Sequence, residues 1–272
     1  MKKIIYDFGA CRGENIDYYL LKSDLVVAFE ANPNNSKYIQ EKFKQAILDK
    51  KLFLENCIVG VEDNLEDQKF YIHKSNYLLG QLPEPSKELL KNFTEIKVQY
   101  KNVIQIIKSY GKPHYIKIDL EEYDEIVLKK ILSNNIKFEY ISVEIKNLNT
   151  FNLFDSNLNF NSYKLVDGHN VEYVYKNSKI ISDLVKKKYS FPANSAGPFG
   201  NDIKGSWITK KNFFELLKFK LEKKGWIDMH CSTIDLPEQE KKFQKYILIE
   251  KIKDIKVKYF KKFQRLKIKL NL

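Results

Sequence analysis

The stretch KIIYDFGACRG, residues 3–13, decides the fold: an apolar run from Lys3 to Phe8 ends in a glycine turn and gives way to a helical pattern from Glu14 to Leu21. A strand that stops at glycines and restarts as a helix is the opening of a crossover unit in a parallel sheet. Its turn faces the carboxyl edge, where such sheets bind ligands. The spacing is Gly9-x-x-x-Gly13, and Asp7 stands two positions before the first glycine. Glycine lets the backbone approach a ligand, whereas a carboxylate here repels the pyrophosphate of a dinucleotide and suits a cationic amine. S-adenosylmethionine carries such an amine and a sulfonium besides. An ordinary tight turn with a helix-capping Asp7 accounts for the same residues. The second strand, Leu25 to Glu30, favours the cofactor, because Glu30 ends it roughly 20 residues after the turn, where an acidic side chain accepts hydrogen bonds from both ribose hydroxyls. Ala10 and Ala31 fall beside these residues and join the expected cofactor set. The adenine is expected at the end of a third strand, near Cys57 and Ile58, with Cys57 a small buried hydrophobe and not a reactive thiol.

Outward from that stretch, strands and helices alternate. A helix is expected over 35–48, a third strand over 51–59, a short strand over 69–73, a loop running into a helix over 76–92 and a helix over 102–110. Tyr115 to Leu120 and Phe138 to Ile145 read as strands, with a helix over 124–132 between them. The pattern is that of a doubly wound α/β sheet. Further on, Tyr163–Val166 and Val171–Tyr175 flank an Asp-Gly-His-Asn turn and read as a hairpin. A second pair is expected at 226–231 and 246–251, after a helix over 210–223. Either pair is able to complete the sheet. Three regions follow: a core over 1–180, a lid or acceptor-binding region over 181–250, and a basic tail over 251–272.

The 272 residues are 43% hydrophobic and 30% charged, enough apolar surface to exclude whole-chain disorder. No run approaches the roughly 18 apolar residues of a membrane span, and the N-terminus meets Asp7 too early for a signal-peptide core. Three cysteines without a CxxC pair argue against a disulfide framework or a zinc site and fit a reducing cytoplasm. The net charge of +12 is concentrated at the end: from Glu250 to Leu272 nine basic residues face two acidic ones. With +5 left for the rest of the chain, basicity is a property of the tail, and nucleic acid is not the expected partner.

DFGACRG (7–13), AFEANP (28–33), IKIDLE (116–121) and SVE (142–144) together resemble the ordered signatures of FkbM-type S-adenosylmethionine-dependent methyltransferases. The resemblance implies a Rossmann-like methyltransferase sheet, O-methylation of sugar or polyketide hydroxyls, and a place in polysaccharide biosynthesis. It implies that Asp7, Gly9 and Gly13 hold the methionine end, that Glu30 holds the ribose, and that Asp119 faces the active site. The chain departs from the family pattern at Glu122, where Gly is usual, and at Cys11, Ala31 and Asp124.

Methyl transfer to a hydroxyl needs positioning and a base for the hydroxyl proton. Asp119, Glu121 and Glu144 are expected at strand ends over the crevice, with Asp119 first among them and a helix-capping role as its alternative. His169, in the expected hairpin turn, is a further candidate, and His230 lies in a late strand. The carboxylates are also able to hold a divalent cation, although none is predicted. Residues 193–202 read as an acceptor-binding lid in which Phe199 stacks on a sugar while Asn201 and Asp202 bind hydroxyls, or else as a structured connection. Trp207 and Trp226 read as packing residues. The tail is expected to pack on the body with a solvated lysine face, or to lie as a basic amphipathic helix on the inner face of a membrane, near lipid-linked glycans. An RNA methyltransferase and a non-catalytic binding protein of the same fold are the rival readings.

Overall fold

The computed structural model describes residues 2–63, 66–154, 160, 162–181, 185–222 and 225–237, together with 252, 255, 256 and 259. In chain order the elements are β1 (Ile4–Phe8), α1 (Ile16–Lys22), β2 (Leu25–Phe29), α2 (Pro33–Lys42), α3 (Lys44–Leu48), β3 (Leu52–Glu55), β4 (Ile58–Gly60), β5 (Gln68–His73), β6 (Gly80–Gln81), α4 (Lys87–Leu90), β7 (Phe93–Val98), β8 (Tyr100–Asn102) and α5 (Val103–Tyr110). They continue with β9 (Tyr115–Ile118), α6 (Asp124–Ser133), β10 (Tyr140–Glu144), α7 (Leu148–Leu153), β11 (Ser162–Asp167), α8 (Val171–Val174), β12 (Ser178–Ile181), β13 (Lys186–Tyr189), α9 (Lys210–Leu221) and β14 (Ile227–Ser232).

Among the described residues seven strands form one sheet in the order β11-β14-β10-β9-β1-β2-β3. All neighbours are parallel except β14, which runs antiparallel to both β10 and β11. Strands β1 and β2 are buried along their whole length, as continuous apolar runs in a doubly covered parallel sheet should be. One face carries Tyr6, Phe8, Phe29, Ile118 and Val143 and packs against α5, α6 and α9. The other carries Ile5, Val26 and Tyr115 and is covered by α1, α2 and the 191–207 segment through Tyr18, Tyr19, Ile39, Phe191 and Phe199. The side chains of Asn32 and Asn102 cap α2 and α5, fixing where each helix leaves the sheet edge. The chain passes from β1 to β2 and β3 on one side and returns to β9 on the other, so the topological switch lies between β1 and β9.

Several expectations are corrected. The stretch expected as one helix over 35–48 is two helices that meet at Phe43, and the expected third strand breaks at Asn56. Its second half, β4, pairs with β8 away from the main sheet. Strands β5, β6 and β7 form a separate three-stranded sheet beside the cleft. The hairpin expected across Asp167–Asn170 does not form: Gly168–Asn170 is a helical turn that leads into α8, and β11 takes its hydrogen bonds from β14 instead. The strand expected at 246–251 and most of the tail lie outside the described residues. Ile252, Ile255 and Tyr259 of that tail are helical and exposed. No helix among the described residues is long and apolar enough to cross a membrane.

Candidate active site

A cleft of about 510 Å³ opens at the carboxyl ends of β1, β2, β9 and β10, within the size range of small-molecule sites. Its floor is the switch point. Gly9 has φ +84°, and a Cβ there would sit 1.8 Å from the Asp119 carbonyl oxygen, so only glycine lets the two strand ends come this close. Cys11 and Glu121, on either side of the floor, both adopt the left-handed conformation, at φ 51° and 57°.

At one end, Glu30 follows β2 with a buried carboxylate that accepts the N–H groups of Cys11 at 2.7 Å and Asn32 at 2.8 Å. Burial pushes its carboxyl up to about 8, against those two hydrogen bonds. Asn56 Nδ2 donates to the Glu30 carbonyl at 2.7 Å and sets the chain direction there. Cys57, Ile58, Val59 and Phe70 supply an apolar slot beside it. Burial raises the Cys57 thiol to about 12, which keeps it uncharged and unreactive. Ala10 and Ala31 also line the cleft.

Asp7 and Gly13, both expected at the methionine end, do not line it. Asp7 points along the sheet to Lys117, its register partner on β9, at 3.4 Å. Gly13 gives φ +72° and room for Phe43 and Ile16 to pack. Lys117, missed as a site residue although it stands inside the quoted β9 motif, donates to the Gly9 carbonyl at 2.8 Å and pairs with Asp119 at 3.2 Å. Although burial disfavours its charge, Asp119 and Asp7 hold this ammonium well above the usual lysine range. For Asp7 burial outweighs Lys117 and lifts the carboxyl to about 6. Glu14 and Asn15 also face the cleft, next to the floor.

Asp119, Glu121, Glu144 and His169 are all brought to the other end of the cleft. Burial, with Asp119 and Glu121 nearby, raises Glu144 to about 7. Lys146 bridges Glu121 and Glu122 at 3.2 and 3.0 Å and lies 4.0 Å from Glu144. The capping alternative for Asp119 falls instead to Asp124, whose Oδ1 accepts the Leu120 N–H at 2.5 Å. Glu172, Tyr173 and Trp226 line the same end. The indole lies against Gly168, where a Cβ would come within 2.1 Å of it, and edge-on to His169 at 6.3 Å. Trp226, expected to be packing, thus also presents a surface to the cleft. Among the described residues no group of three or more His, Cys, Asp and Glu side chains is arranged to hold a metal ion.

The expected acceptor residues Phe199, Asn201 and Asp202 lie elsewhere. Phe199 is buried and stacks on Tyr115 at 4.1 Å, because the 191–207 segment closes the sheet face with its aromatic side chain. Asp202 pairs with Lys22 at 2.9 Å and accepts from the Tyr18 hydroxyl at 2.8 Å, and Asn201 accepts from the Trp207 indole at 2.7 Å. These three line a hollow near the start of β1 and β9, at the opposite edge of the sheet. Only the earlier part of the segment, with Ala193, Asn194 and Ala196, reaches the cleft. His230 is buried beside Tyr115, and burial lowers its imidazole to about 3, so it stays neutral and outside the cleft.

Residues 7–172 match the family described as the methyltransferase FkbM domain. Among solved structures, the chain is similar to a methyltransferase FkbM from Methylobacillus flagellatus KT, with a TM-score of 0.39 and 14% identity over 60% of this chain and 39% of that one. The chain therefore spans well under half of that relative's length. It is also similar to a precorrin-6y C5,15-methyltransferase from Geobacter metallireducens GS-15, with a TM-score of 0.34 and 10% identity over 70% of this chain and 75% of that one. No curated protein matches the sequence.

Proposed function

Because the chain belongs to the family of methyltransferase FkbM domains, we propose that it is an S-adenosylmethionine-dependent O-methyltransferase acting on a hydroxyl of a saccharide or glycoconjugate. The residues of the cleft fit the cofactor. Glu30, held by two backbone N–H groups, leaves lone pairs for a ribose diol, and the slot of Ile58, Val59 and Phe70 suits an adenine. When bound, S-adenosylmethionine supplies an electrophilic methyl group. Asp7 does not serve the methionine amine in this reading, since it does not line the cleft and faces Lys117 instead. Glu14, an acidic group lining the cleft, takes its place.

The observation that carries the reaction type is Glu144: a strand-end carboxylate in the cleft whose affinity for a proton is matched to neutral pH. Glu144 takes the proton of the acceptor hydroxyl, and Lys117 fixes Asp119 beside it. His169 and Glu172 offer hydrogen bonds to further hydroxyls, while Trp226 and Tyr173 offer flat apolar surfaces for a sugar ring. The carboxylates at this end disfavour a phosphate-rich acceptor, and so weigh against the RNA reading. Incubation with methyl-labelled S-adenosylmethionine and a panel of neutral glycans tests the proposal. Transfer of label by the parent and its loss in Glu144→Gln are expected. Equal transfer by the two proteins would refute the role of Glu144.

A further inference from the structure

Tyr77 stands at the tip between β5 and β6, over the cleft, and the chemistry above gives it no task. The tip is stiffened by its own hydrogen bonds. His73 Nδ1 accepts the N–H groups of Ser75 at 3.3 Å and Asn76 at 3.1 Å, Asn76 Oδ1 accepts that of Leu78 at 3.1 Å, and the His73 N–H donates to the Leu79 carbonyl at 3.0 Å. From this support Tyr77 reaches both walls of the cleft. On the wall formed by the first turn and α2, the Arg12 guanidinium lies 3.7 Å from the ring centroid, and Asn35 Nδ2 donates to the Tyr77 carbonyl at 2.9 Å. On the other wall, Asn194 Nδ2 donates to the phenolic oxygen at 3.3 Å. Arg12 is positioned in turn by Asn35 Oδ1 at 3.4 Å from its Nε and by the Tyr38 ring at 5.3 Å.

One residue is thus tied to the glycine turn through its ring, to α2 through its carbonyl and to the 191–207 segment through its hydroxyl. A ring on a guanidinium gains strength where water is excluded, so the contact tightens when the space beneath it is filled. We propose that Tyr77 is a cofactor-positioning residue, a strap that closes the cleft over the bound nucleoside and has to part from Arg12 before the nucleoside exchanges. The proposal rests on the S-adenosylmethionine reading of the cleft. It makes Arg12, which does not itself line the cavity, the anchor of the strap and not a ligand for the cofactor carboxylate.

The test follows S-adenosylhomocysteine binding to the immobilised full chain by surface plasmon resonance, for the parent, Tyr77→Ala, Tyr77→Phe and Arg12→Ala. Tyr77→Ala is expected to raise the dissociation rate about tenfold or more, Arg12→Ala to reproduce most of that rise, and Tyr77→Phe, which keeps the ring over Arg12, to stay within about threefold of the parent. The thermal midpoint without ligand should not move, whereas a purely structural role would shift the midpoint and leave the dissociation rate alone. If Tyr77→Ala does not fold, Arg12→Ala decides. Dissociation within about twofold of the parent in both alanine variants overturns the strap while the cofactor reading stands. A folded parent that binds no S-adenosylhomocysteine overturns the cofactor reading, and the strap with it.

Discussion

Replacing Lys117 by Met should turn the centre of the sheet into a pH-sensitive weak point. The ammonium is almost fully buried, pairs with Asp7 and Asp119 and donates to Gly9. Asp119 is one-quarter exposed and keeps some access to water, but Asp7 is only 1% exposed and loses its counter-charge outright. Breaking a buried pair by removing one partner costs about 3–5 kcal/mol. The pH dependence follows from Asp7. Its carboxyl is already raised to about 6 in the folded parent, where burial outweighs Lys117, and removal of the ammonium raises it further. A carboxyl raised on folding adds stability that is full below its unfolded value near 4 and disappears as pH climbs through the folded value. In the parent this amounts to about 3 kcal/mol lost between about pH 4 and pH 6. In Lys117→Met the loss extends to higher pH. Urea unfolding at pH 5 and pH 8 should therefore show a larger deficit for the variant at pH 8. Asp7→Asn combined with Lys117→Met should recover at least half of that deficit, because the buried charge is gone. A variant within about 1 kcal/mol of the parent at pH 8, or a double variant no more stable than the single one, would show that Lys117 does not neutralise a buried Asp7 charge.

Gly9→Ala should destabilise the protein by about 3 kcal/mol or more and abolish cofactor binding, because the new Cβ meets the Asp119 carbonyl at 1.8 Å in a left-handed backbone; thermal unfolding and a ligand titration check this. The rate of methyl transfer should rise with pH and level off above about 7 as Glu144 loses its proton, and Glu144→Gln should lower the plateau about 100-fold or more. Removing residues 251–272 should leave S-adenosylhomocysteine affinity within about twofold of the parent, since all the residues found lining the cleft lie at or before Trp226.

The order of the core elements was legible because parallel strands buried on both faces read as short apolar runs, and β1, β2, β9 and β10 are such runs. Glu30, Asp119 and Glu144 were legible because strand ends follow from where those runs stop. What pairs across the sheet was not. Asp7 and Lys117 are neighbours only through a register between strands more than 100 residues apart, so Asp7 looked available for an amine that it does not face. The partner of β11 was hidden in the same way: Asp167-Gly168-His169-Asn170 has hairpin chemistry, yet a strand some 60 residues later takes the edge and leaves the turn to enter α8. Phe199 was misplaced because a loop rich in Gly and Asn reads as solvent-facing, while tertiary packing drew its ring onto Tyr115. Tyr77 and Trp226 carry no local signal at all, and only the folded chain brings them to the cleft.

Binding of the cofactor to this cleft is tested most directly by calorimetric titration of S-adenosylmethionine and S-adenosylhomocysteine into the purified full chain, with Glu30→Ala beside it. Micromolar binding of both ligands by the parent and a loss of about 100-fold or more in the variant are predicted, since Glu30 orders the first turn through the Cys11 N–H and is the residue proposed to bond the ribose. A folded parent that binds neither ligand, or a Glu30→Ala variant that binds them as well as the parent does, would contradict the account.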